Sequence, residues 1–142
     1  MKIFSNPNAT LKSKYGQYQI AVLGNVVGVS AEGIADGAAI ERYARDMMDV
    51  VNSFAGNHWA FLGFLHGSAL LTKAGEKELQ HSIEWRAKRG MALGALVIGE
   101  TTVQPLVKSQ FQRIYDKAGL ELGVFTDEQD AMQWLEGKGF KG

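Results

Sequence analysis

The chain contains no cysteine, which excludes disulfides, thiolate nucleophiles and every zinc site built on cysteine sulfur. It also lacks a net charge: fifteen basic and fifteen acidic residues cancel, so no global field draws it to a phosphate backbone or an anionic membrane. The opening residues Met1 to Asn8 hold no apolar stretch of the kind a secretory signal needs. The longest strongly apolar run, Trp59 to Leu65, falls far short of the roughly 20 residues that span a bilayer. Nucleic acid is therefore not expected as a partner, nor a transmembrane segment, and a cytoplasmic location is expected. The phosphate-loop pattern G-x-x-x-x-G-K is missing, as are His-Glu-x-x-His and His-x-Glu. His58, His66 and His81 do not stand at metal-ligand spacing, so neither a metal nor a cofactor is expected.

What is present fits one domain. At 142 residues with 46% hydrophobic content, such a chain buries roughly 68–70% of its unfolded surface. Tyr18 to Leu23 and Val26 to Val29 are β-rich runs flanking Gly24-Asn25, a pair suited to a tight antiparallel turn. Ile40, Ala44, Met47, Met48 and Val51 recur at helical spacing and predict a helix over residues 36–54. The Trp59–Leu65 run predicts a central strand covered on both faces. Thr72 is placed to cap a second helix with Leu79 and Ile83 inside and Arg86, Lys88 and Arg89 at its end, where the helix dipole favours cations. Ala92 to Ile98 predicts another strand. Thr102 and Pro105 open a third helix with an inner stripe of Val103, Leu106, Val107, Gln110 and Ile114. Leu122 to Phe125 predicts a last strand, and Thr126-Asp127-Glu128-Gln129 reads as a capping box ahead of a helix through Met132 and Leu135. The order is ββαβαβαβα: a single α/β domain over residues 1–142 with a mostly parallel sheet, an antiparallel first hairpin and flanking helices. Residues 1–15 and 137–142 are expected to be less ordered.

Several of these positions carry a family likeness. Gly16-x-Tyr18-x-Ile20 followed by Gly24-Asn25, His58-Trp59-Ala60, Trp85 with Gly90 and the Ala92 strand, Phe125, and Ala131-x-x-Trp134-Leu135 together resemble the bacterial STAS-like proteins. These are the anti-sigma-factor-antagonist, stage II sporulation protein AA-like family, also grouped with the lipid-binding CRAL-TRIO fold. The resemblance implies a regulatory or ligand-binding module and not an enzyme. Sporulation-type members carry a phosphorylated serine preceded by aspartate after the central strand. Here that stretch reads His66-Gly67-Ser68-Ala69-Leu70-Leu71, so Ser68 lacks the aspartate and phosphorylation is not expected to be the built-in switch.

Ligands of open parallel sheets gather outside the carboxyl ends of the strands. That rule nominates His66, Gly67, Ser68, Glu100, Thr101 and Thr102 as a site for a protein partner or a small apolar or anionic ligand. Local backbone capping by Ser68 and Thr102 is the plainer reading of the same residues. Two rival classes stay open. One is a small hydrolase or transferase using Ser68 and His66 with Glu100, which needs a serine–histidine bond and a separate orienting carboxylate; the other is a lipid carrier. Finally, Tyr43, Met48 and Phe54 widen the apolar stripe of the first helix and suggest a homodimer patch.

Overall fold

The computed structural model describes residues 9–13, 16–33, 37–66, 70–99 and 104–141. Six strands and four helices follow one another as β1 (Ala9–Ser13), β2 (Gly16–Leu23), β3 (Val26–Gly33), α1 (Gly37–Asn52), β4 (Trp59–His66), α2 (Lys73–Ala87), β5 (Met91–Ile98), α3 (Gln104–Ala118), β6 (Glu121–Phe125) and α4 (Glu128–Gly137). The α/β order expected from the sequence is present, with one additional strand, β1, ahead of it. The sheet runs β1-β2-β3-β4-β5-β6 in chain order. β1 and β2 pair antiparallel, as do β2 and β3, and the pairs from β3 to β6 are parallel.

This strand order decides where the helices lie. Each parallel strand is added on the same side of the last, so crossovers of one hand return along one face of the sheet. Accordingly α1, α2 and α3 share a core with Ile20, Val27, Val29, Trp59, Phe61, Leu96 and Ile98. Among the described helices α4 alone reaches the back face, where Ala131 and Leu135 join Ala21, Val26, Ala60, Leu62, Phe64, Leu93, Ala95 and Phe140. β4 is thus covered on both faces as its apolar run predicts, but by crossover helices on one side only.

Two local contacts fix the layers. Gly90 has φ +102°, and a Cβ there would run into the Asn57 carbonyl, so only glycine lets β5 start beside β4. Trp59 stacks on Phe54 at 5.8 Å and donates its indole N–H to the Arg89 carbonyl at 3.2 Å. At the other end of the chain, Lys141 N–H donates to Asn25 Oδ1 at 2.9 Å and Phe140 is buried. Residues 139–141 therefore dock on the β2–β3 turn, where a fraying tail was expected.

Other expectations shift by a residue or a face. The cap of α4 is Asp127, whose carboxylate accepts from Asp130 N–H at 2.9 Å; Thr126, proposed to open the capping box, stands one residue too early. Leu106 is 60% exposed, not part of the inner stripe of α3, because Val107, Phe111, Ile114 and Tyr115 already fill that stripe. Val103 and Thr102 lie outside the described residues.

Candidate functional site

The carboxyl rim is built from strand alternation. Along β3, Val27, Val29 and Ala31 turn toward the helices, which leaves Ser30 and Glu32 on the back face. The same alternation on β2 and β4 puts Gln17 and His66 on that face. Register then brings the four together: Glu32 pairs with His66 and Ser30 with Phe64 across β3–β4, and Gln17 pairs with Glu32 across β2–β3. The side chains complete the row. His66 Nε2 lies 3.1 Å from Ser30 Oγ, and Gln17 Nε2 donates to Glu32 Oε2 at 3.2 Å. Gln17, Glu32 and His66 are exposed and Ser30 is half-buried.

Of the rim residues nominated from sequence, the structure places His66. Gly67, Ser68, Glu100, Thr101 and Thr102 lie outside the described residues. The hydroxyl that meets His66 is that of Ser30, and Glu32 is engaged by Gln17. A serine–histidine contact is present, yet no described carboxylate is bonded to the imidazole to orient it, which a triad requires. Ser30, Glu32 and Gln17 were missed because β3 was expected to end at Val29. The signal was legible: the alternation of Val27, Val29 and Ala31 against Gly28, Ser30 and Glu32 continues through Glu32. Behind the rim, Gln110 of α3 clasps the approach to α2, accepting from Leu71 N–H at 3.1 Å and donating to the Leu71 carbonyl at 3.0 Å. Thr72 Oγ1 caps α2 by accepting from Gly75 N–H at 3.0 Å.

The three residues of the candidate dimer patch differ in exposure. Tyr43 is buried at 7% exposure, packed edge-on against Tyr18 at 5.6 Å. Phe54 is half-buried under its stack with Trp59. Met48 alone of the three is exposed, at 43%. Helical spacing shows which residues share a stripe but not how far the sheet and α2 extend beneath it, and that is why Tyr43 was misplaced.

A second finding concerns Arg86, expected as a helix-end cation favoured by the helix dipole, which is in that last turn but fully buried. Its Nη2 donates to Ser82 Oγ at 3.0 Å, and its guanidinium carbon lies 5.0 Å from the Tyr43 ring centre and 5.7 Å from that of Phe61. Among the described residues Nε and Nη1 have no acceptor, and the buried Tyr115 hydroxyl has no partner. Ring contacts with a desolvated cation return about 2 kcal/mol, against several kcal/mol for taking the charge out of water. Burial raises the proton affinity of the Tyr43 and Tyr115 hydroxyls above the ordinary range, and the nearby guanidinium works against it in both. Tyr18 is also raised, by partial burial first and then by its hydrogen bond to Asp46.

At the opposite end of the strands an open groove of about 410 Å³ lies among Val51, Asn52, Ala55, Gly56, Lys88 and Arg89. Among the described residues no three His, Asp or Glu side chains gather as a metal site, and no helix is long and apolar enough to cross a membrane.

No family model and no curated protein matches the sequence. Among solved structures, the chain is similar to an uncharacterized protein of the DUF3478 family from Shewanella loihica PV-4, described as having a SpoIIAA-like fold. The two share 16% sequence identity at a TM-score of 0.56, over 88% of this chain and 98% of that one. At that identity the likeness speaks for architecture alone: the chain has the SpoIIAA-like, STAS-like fold.

Proposed function

We propose that this protein is a non-enzymatic regulatory module that docks a polar segment of a protein partner at the carboxyl rim of its sheet. The observation that carries the reading is the row Gln17, Glu32, His66 and Ser30, three of them exposed, held on adjacent strands in fixed register. A donor amide, a carboxylate, an imidazole and a hydroxyl side by side on a rigid surface suit recognition of a peptide carrying both amide and charged groups. Gly67 and Ser68 follow β4 in the chain, and Glu100, Thr101 and Thr102 follow β5. A small anionic ligand at the same rim is the neighbouring possibility, and its binding would compete with the partner.

The test is photo-crosslinking in cells of the source organism. A photoreactive residue is placed at Glu32 or, as a control, at Leu106, which is exposed on α3 on the opposite face. One protein crosslinked from position 32, absent from position 106 and lost on His66→Ala, is the expected result. Equal capture from both positions contradicts the reading. So does turnover of ester substrates abolished by Ser30→Ala or Ser68→Ala, which would make the rim a hydrolase site.

A further inference from the structure

We propose that Arg86 is the receptor for a compact monoanion, a halide or a carboxylate group, held inside the helix-side core by its guanidinium and the Tyr115 hydroxyl. The site is independent of the rim. Arg86 sits in the last turn of α2, roofed by Tyr43 of α1 and floored by Phe61 of β4, and is fully shielded from water.

The case rests on a charge without a countercharge. The carboxylates that form ion pairs among the described residues are spent elsewhere: Glu41 on Arg45, Glu76 on Arg113 and Glu121 on Lys138. Asp46 of α1 accepts from the Tyr18 hydroxyl. Arg86 receives instead neutral hydroxyls, that of Ser82 and that of Tyr43, and two ring faces. A guanidinium does not shed its proton to escape burial as a lysine does. Two of its nitrogens and one phenol O–H thus stand as donors without acceptors among the described residues, in the same core. Water would satisfy donors and leave the charge; an anion answers both needs.

Tyr115 is placed for the role by the strand beneath it. A Cβ at position 94 would overlap the Tyr115 hydroxyl, so Gly94 is what lets the phenol lie flat on β5 with its oxygen deep in the core. Burial keeps that oxygen protonated, and the Arg86 guanidinium opposes the effect, so the phenol stands as an O–H donor in the field of the cation.

The experiment is thermal unfolding of the purified protein at constant ionic strength. The bulky sulfonate MES is replaced stepwise by chloride, by acetate or by decanoate. For wild type we expect a saturable rise of several degrees in Tm with at least one of these anions, because a ligand that binds only the folded state stabilises it. Chloride alone acting assigns a free halide; acetate and decanoate acting assign the head group of a carboxylic acid. Tyr115→Phe should shift the midpoint of the response about tenfold upward in anion concentration. Arg86→Met should abolish the response while melting in MES no lower than wild type. Parallel anion responses in wild type and Arg86→Met, or a flat response in wild type, would overturn the proposal. Should Arg86→Met fail to fold in MES, the guanidinium is a structural requirement in itself and the proposal falls. Chloride-35 line broadening on wild type, competed by acetate, reads the same site without a variant.

Discussion

Phe61 and Arg86 show how much one side chain decides in this core. Phe61 is 6% exposed and lies between the helices and β4 beneath Arg86. Phe61→Ala should cost about 3–5 kcal/mol. Denaturant titration reads that loss, and a value below about 1 kcal/mol would contradict the central place of β4. The tyrosines give a pH signature. Tyr18, Tyr43 and Tyr115 all bind their protons more tightly when folded than in the unfolded chain, chiefly through burial. Above the ordinary tyrosine value of about 10 the unfolded chain releases protons that the folded chain keeps, so stability is full below pH 10 and falls as pH rises beyond it. Urea midpoints between pH 9 and 11.5 should decline, and less steeply in Tyr115→Phe; an unchanged slope in that variant would exclude Tyr115 from the effect. The burial of Phe61 was legible in the apolar run of β4; that of Arg86 was not. Arg86, Lys88 and Arg89 form one basic run in sequence, and only the packing of α1 over α2 separates the buried cation from its exposed neighbours.

Elements were more readable than residues, because periodicity reports them directly. The Trp59 run, the Ala92 strand and the Thr72 cap appear in the structure as β4, β5 and the N-terminus of α2. Ends were harder to read, since strand termini are set by pairing partners that sequence does not show. β3 extends to Gly33 because β2 and β4 both continue alongside it, and that extension carries Ser30 and Glu32 to the rim. The start of α4 offers a clean test of such a boundary. Asp127→Ala should cost about 1 kcal/mol through loss of the cap, and Thr126→Ala close to nothing. The reverse order in thermal or denaturant unfolding would return the cap to Thr126. Gln110→Ala removes both hydrogen bonds to Leu71, each worth about 1 kcal/mol. Amide exchange at Leu71 should then quicken markedly while the amides of β4 stay protected.

At the scale of the molecule, sequential strand order puts three helices on one face and leaves the back face to α4 and residues 139–141, with the polar row at its carboxyl end. Fold class was legible because alternating apolar strands and amphipathic helices admit few arrangements. The site was legible only in part: the rule about carboxyl ends found His66, while its companions came from register. With Tyr43 buried and Phe54 stacked on Trp59, Met48 is the exposed member of the candidate helix-one patch. Met48→Glu should leave the mass from light scattering at micromolar concentration unchanged, and a mass halved by that substitution would restore the helix-one dimer. The measurement that bears most directly on the proposed role is the affinity of the partner crosslinked at position 32, titrated calorimetrically against purified variants. A double variant Glu32→Lys, His66→Ala should weaken binding at least tenfold, about 1.4 kcal/mol, while Leu106→Glu on the opposite face binds as wild type; undiminished affinity in the double variant, or a loss confined to Leu106→Glu, would contradict the account.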